Sequence, residues 1–177
     1  MDLLIGVYHD PRYLSDVEKL LRYKFPGGLE SLMLEIPSDF DILRSVYSTV
    51  YGREYKFIGN TFYTPLAERF RQTGTTIIYG DTPLGIDNKE LLDGKNYERN
   101  LYLKALRRYL TKSDDKYMIK KIEETNPVAV AVGRIHTDRI KRMFPNVHYI
   151  AHSPRNRFTR LFVNDSLPDK IIPVDVC

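Results

Sequence analysis

Two of the four histidines in this 177-residue chain share one local context. Leu3-Leu4-Ile5-Gly6-Val7-Tyr8-His9 is an apolar run ending in Gly-x-x-His. Val128 to Val132 runs into Gly133-Arg134-Ile135-His136 in the same way. Gly is about 7% of average composition, so chance sets a Gly three residues before two of four His on the order of 3% of the time. Glu35 is a carboxylate inside the apolar segment Leu34-Glu35-Ile36. It must lie at an exposed strand end or be buried with a partner, because burying an unpaired charge is very costly. Two His and one carboxylate, with positions open to water, form a recurrent catalytic metal set. An ion held there would lower the pKa of bound water toward neutrality and supply a nucleophile. The same residues without a metal suit a His that activates water directly while Glu35 orients it. A Gly three residues before each His allows close backbone approach or a positive φ.

Positioning these residues requires strands that deliver them to one edge. The chain alternates strand-like and helix-like segments. Leu3 to Tyr8, Ser31 to Ile36, Thr75 to Tyr79, the run around Val128 to Val132, and Val147 to Ile150 read as strands. Helices are expected from Pro11 to about Tyr23, after Ser38 or Asp39, from Thr64-Pro65 to Gly74, over Asn96 to Leu110, from Asp114 to Glu124, and after His136 up to Phe144-Pro145. Thr64 would cap its helix, with Pro65 at the first helical position. One or two edge strands are expected near Leu161 and Ile171. This alternation predicts a single α/β domain over residues 1–177, with a mostly parallel central sheet and helices on both faces. In such a sheet His9, Glu35, Asp81 and His136 all fall at or just after strand C-termini, where open α/β sheets bind ligands. Asp81 also reads as a turn residue or cap. His148 and His152 read as surface or structural histidines.

The bulk composition narrows the classes. The lone Cys177 allows no intrachain disulfide, which fits a reducing compartment. No apolar run reaches the length of a membrane span, and the first residues lack a signal-type pattern. A cytoplasmic protein without a membrane role is the expectation. The net charge is +4, with a basic excess late in the chain at Arg134, Arg139, Lys141, Arg142, Arg155, Arg157 and Arg160. No nucleic-acid motif accompanies it, so it reads as a solvated face rather than a nucleic-acid site.

The ordered set of motifs resembles the TraB/PrgY/Tiki superfamily, more distantly related to erythromycin esterase and the ChaN haem-binding proteins. The residues that carry the resemblance are Gly6-Val7-Tyr8-His9, Leu34-Glu35-Ile36, Tyr79-Gly80-Asp81, Glu98-Arg99-Asn100-Leu101-Tyr102-Leu103 and Gly133-Arg134-Ile135-His136. They span roughly residues 3 to 150. Thr82 stands where an Arg is common, and Arg134 where the second motif often has a small residue. The C-terminal membrane segments of the TraB/PrgY type have no counterpart, so no membrane signalling is expected.

The resemblance implies metal-assisted hydrolysis of an amide or peptide bond in a small substrate. His9, Glu35 and His136 would hold a divalent ion (Mn, Co or Zn), with Glu35 as third ligand or general base. Arg99 would stabilise the developing oxyanion or hold Glu35, through contact with Glu35 or Asp81. Two other readings stay open. One is a metal-free esterase-like hydrolase using His and Glu; the other is a non-catalytic module binding a peptide or anion in the same cleft.

Overall fold

A computed structural model of the chain describes residues 1–39, 58–83, 115–153, 160–163 and 172–173. Strand β1 (Leu3–Val7) is buried at every position. A 3₁₀ turn at Pro11–Tyr13, capped by the Asp10 side chain on the Arg12 N–H, leads into helix α1 (Leu14–Lys24). α1 buries Leu14, Val17, Leu20 and Leu21, an i, i+3, i+6, i+7 stripe that faces the core. It stops at Phe25-Pro26-Gly27-Gly28, where Gly28 has φ 104°, a conformation that needs no Cβ penalty only in glycine. Strand β2 (Ser31–Pro37) follows, then α2 (Ile58–Arg71), β3 (Thr76–Asp81), α3 (Asp115–Thr125), β4 (Ala129–Gly133), α4 (Arg134–Met143) and β5 (His148–Ser153). Short strands β6 (Arg160–Val163) and β7 (Ile172–Pro173) complete the order.

The sheet order is β3-β2-β4-β1-β5-β6-β7. Strands β3, β2, β4, β1 and β5 are mutually parallel, while β6 and β7 add antiparallel at the edge. The α/β expectation therefore holds, edge strands included. Alternation along β1 separates two apolar layers. Leu3, Ile5 and Val7 pack with Val17 and Leu21 of α1 and with Phe62, Leu66 and Phe70 of α2. Leu4 packs with Val130 and Val132 of β4, Met118 and Ile122 of α3, and Ile140 of α4. Helices thus cover both faces, as near-continuous apolar parallel strands require. Each fully buried Leu or Ile stabilises this arrangement by about 1.5–3 kcal/mol.

Two boundaries differ from expectation. α2 begins before Thr64, and Pro65 lies inside it. A helix-interior proline forfeits a backbone hydrogen bond at a cost of about 3 kcal/mol. The turn ahead of it is held by Phe62 and Tyr63, both fully buried, so tertiary packing overrides the local start signal. α4 begins at Arg134, directly off β4. His136 therefore belongs to the first turn of a helix rather than to a loop before one. The helices expected after Asp39 and over Asn96 to Leu110 lie outside the described residues. Among the described residues no helix is long and apolar enough to cross a membrane.

Candidate active site

Strands β2, β4 and β1 are neighbours in the sheet, and the three motif residues leave their C-terminal ends side by side. The connection after β1 crosses toward β2, while α4 after β4 returns on the other face toward β5. Oppositely directed crossovers open a crevice at such a point. His9 follows β1, Glu35 lies near the end of β2, and His136 lies in the first turn of α4.

Glu35 is the centre of the cluster. Its Oε1 is 3.2 Å from His136 Nε2 and its Oε2 is 3.5 Å from His9 Nε2. Oε2 also accepts the backbone N–H of Gly133, the N-cap of α4. A carboxylate at a helix N-terminus meets both an orphan donor and the positive end of the helix dipole. The Tyr63 hydroxyl, delivered by α2, lies 3.3 Å from Glu35 Oε2 and 3.0 Å from His9 Nε2. The Tyr63 and His9 rings meet edge-on at 5.0 Å. On the far side, His136 Nδ1 is 2.6 Å from Asp115 Oδ1, and Arg139 is 3.4 Å from Asp115 Oδ2.

The proton positions follow from this geometry. Carboxylates only accept, so a His136 that bonds both Glu35 and Asp115 carries protons on both nitrogens. Burial alone would pull its imidazole down; Glu35 first, then Asp115, outweigh that and lift it from 6.5 to about 9. Burial alone would push the Glu35 carboxyl up, but hydrogen bonds and charge from His136 and His9 hold it at about 2, below its ordinary 4.5. Glu35 and His136 side chains are 5% and 6% exposed, whereas His9 is 23% exposed. His9 is therefore the member of the three that reaches solvent.

The motif glycines act through space rather than through a positive φ. Gly133 has φ −54° and ψ 139°. A Cβ there would sit 2.9 Å from both Glu35 Oε2 and His9 Nε2. A Cβ at Gly6 would meet Thr137 Cγ2 at 2.9 Å and the Tyr149 hydroxyl at 3.1 Å. Gly6 thus lets α4 lie close against β1, and Gly133 leaves room for the carboxylate and imidazole.

Asp81 is buried at the end of β3, with Oδ1 accepting the Thr82 N–H at 2.7 Å. His148 pairs in register with Leu3, at the opposite edge of the sheet from the site. Burial, then Lys24, lowers its imidazole pKa. His152 lies in β5, beside Leu161 of β6. Arg99 lies outside the described residues. Sequence reasoning missed Tyr63 and Asp115. The four residues Asp115, Lys116, Tyr117 and Met118 open α3 without any local sign of a partner, and Tyr63 is one of 13 tyrosines.

Among the described residues no three His, Cys, Asp or Glu side chains form a group that could hold a metal ion. The donor atoms instead serve one another: Glu35 Oε1 faces His136 Nε2, and Oε2 takes Gly133 N–H.

No family model matches the chain, and no curated protein matches it. Among solved structures, the chain is similar to RRSP, a MARTX toxin effector domain from Vibrio vulnificus CMCP6. The identity is 15%, the match covers 93% of this chain and 35% of that one, and the TM-score is 0.44. A second, described as bacterial protein toxins, is 16% identical over 93% of this chain and 36% of that one, with a TM-score of 0.41. The chain spans little more than a third of either neighbour. Likeness at this level carries no argument about activity.

Proposed function

We propose that the chain is a hydrolase of small amide, peptide or ester substrates, with His9 as general base acting directly on water. The observation that carries this reading is the Glu35 carboxylate shared between two histidines, one buried and charged, the other reaching solvent. His9 Nε2–H donates to the Tyr63 oxygen, and Tyr63 O–H donates to Glu35. That relay fixes the ring and leaves Nδ1 with a lone pair, the logic by which a carboxylate orients a catalytic imidazole. Nδ1 removes a proton from water as the water oxygen attacks the substrate carbonyl carbon. The scissile C–N or C–O bond of the tetrahedral intermediate then breaks, and the leaving group takes the proton from His9. Arg99 is the candidate donor to the oxyanion. His136 stays protonated and holds Glu35 ionised. This reading corresponds to the esterase-like branch of the TraB/PrgY/Tiki resemblance, and kinship with that superfamily is part of the proposal.

The test is hydrolysis of a panel of chromogenic esters and peptides by tag-free protein, with and without chelator, beside elemental analysis. Chelator-insensitive turnover that His9→Ala abolishes supports the proposal. Stoichiometric Mn, Co or Zn, lost together with activity in His9→Ala, would replace it with the metal-dependent hydrolase. Substrate binding without turnover would replace it with the non-catalytic module.

A further inference from the structure

We propose that Asp115, the first residue of α3, is a positioning residue of this site: by holding His136 Nδ1–H it aims His136 Nε2 at Glu35 and so sets the carboxylate that orients His9. The inference rests on the proposed reaction for its catalytic consequence, but its geometric half stands alone. Asp115 Oδ1 lies 2.6 Å from His136 Nδ1, a contact as close as the shortest charge-assisted N–H···O bonds. His136 is 6% exposed at its side chain, so little water is at hand to replace a lost acceptor. Its other oxygen faces the half-exposed Arg139 at 3.4 Å, one turn further along α4 than His136, a solvent-side contact on which the bond to His136 does not depend. The result is an ordered chain from Asp115 through His136 and Glu35 to Tyr63 and His9. Each link fixes the ring or carboxylate of the next. An imidazole can rotate about two side-chain torsions. With Nδ1 pinned from α3, only Nε2 is left for Glu35 Oε1, at 3.2 Å. Oε2 then remains with Gly133 and Tyr63. Loss of the pin frees the ring, and the carboxylate loses the partner that sets its plane. For histidines that ligate a metal, removing the outer partner typically costs about 10–100-fold in affinity or activity, and a positioning role here is expected to show a loss of the same order.

The experiment uses the full chain and four variants: Asp115→Ala, Asp115→Asn, Arg139→Ala and His9→Ala. Two readouts are taken. The first is the downfield imidazole N–H proton resonance of His136, assigned by its absence in His136→Ala. The second is the separation of kcat from KM on the best substrate of the panel. Asp115→Ala is expected to lose the His136 Nδ1–H resonance and to lower kcat by about 10–100-fold, with KM within about threefold. Asp115→Asn keeps an acceptor oxygen and is expected to retain the resonance and recover most of kcat. Arg139→Ala, which leaves the bond to His136 in place, is expected to keep both. A purely structural tie between α3 and α4 predicts instead that Asp115→Ala and Arg139→Ala behave alike. Folded Asp115→Ala protein with an intact resonance, or with unchanged kcat, overturns the proposal. If Asp115→Ala does not fold, Asp115→Asn decides, since loss of the resonance there equally overturns it. Failure of the reaction itself reads differently: no turnover in the native chain, or turnover that survives in His9→Ala, refutes the hydrolase reading. The resonance then still decides whether Asp115 holds His136.

Discussion

Gly133→Ala offers the sharpest test of the site's construction. The backbone at Gly133, with φ −54° and ψ 139°, is open to any residue, so alanine meets no conformational penalty there. The whole effect comes from the added methyl. It would lie 2.9 Å from Glu35 Oε2, 2.9 Å from His9 Nε2 and 3.2 Å from His9 Cε1. Relief requires the 5%-exposed carboxylate to move, which strains or breaks its bond to the Gly133 N–H. Overpacking of this kind costs about 1–3 kcal/mol, and a lost hydrogen bond to a charged group about 1.5–3 kcal/mol. The two overlap, because moving the carboxylate relieves the clash. The expected loss of stability is therefore about 1–3 kcal/mol, or about 2–4 °C in Tm for each kcal/mol in a chain of this size. On the proposed reaction hydrolysis should fall much further, because the methyl separates the base His9 from the carboxylate that orients it. Gly27→Ala is the control. A Cβ there meets nothing within 4 Å, and its stability should change by less than about 0.5 kcal/mol. Urea unfolding and panel hydrolysis of both variants decide. If Gly133→Ala matches Gly27→Ala in stability and keeps native turnover, the spacing that defines Gly-x-x-His does not protect this cluster, and the argument fails.

Tyr63→Phe keeps the buried ring and deletes only the relay hydroxyl: stability should drop by about 1 kcal/mol and kcat by at least about tenfold, with undiminished kcat ruling out the relay. Glu35→Gln removes one of the two carboxylates that face the buried His136 and leaves Asp115, and unfolding in urea should show a loss of about 1.5–3 kcal/mol; no measurable loss would mean the pair adds little. The stabilisation from Glu35, whose carboxyl is lowered from 4.5 to about 2, is full above pH 4.5 and is lost as pH falls through about 2. That from His136, raised from 6.5 to about 9, is full below pH 6.5 and is lost as pH rises through about 9. The pair should therefore contribute most between pH 4.5 and 6.5. Urea midpoints measured from below pH 4.5 to above pH 6.5 should peak between those values in the native chain and give a flatter profile in Glu35→Gln; parallel profiles would assign the pH dependence to other groups.

The strands were legible because buried parallel strands are written as short continuous apolar runs, and β1 and β4 carry hardly anything else. Their C-terminal residues were legible for the same reason: once a strand ends, the next polar side chain is at the crevice. His9, Glu35 and His136 were singled out by that rule together with the repeated Gly-x-x-His spacing and the lone carboxylate in an apolar strand. The helical contributions follow no such rule. Tyr63 reaches the site because α2 lies across the face of β2, with Phe62, Leu66 and Phe70 buried around it. In sequence it is one aromatic two residues before a proline that argued for a later helix start. Pro65 was read correctly as a local signal, yet burial of Phe62 and Tyr63 outweighs a single missing backbone bond. Asp115 is obscure in a different way. An acidic residue in the first turn of a helix is favoured by the helix dipole wherever it occurs, so its type at that position announces nothing about a partner. Only the packing of α3 beside α4 sets it against His136. Each of the two residues that sequence missed is therefore positioned by helix-on-sheet packing, and each acts on a residue that a strand end had already declared. The division follows from geometry: a strand end fixes where a side chain emerges to within one residue. A helix fixes it only after its face and its crossing over the sheet are known, and those depend on apolar contacts far away in the chain.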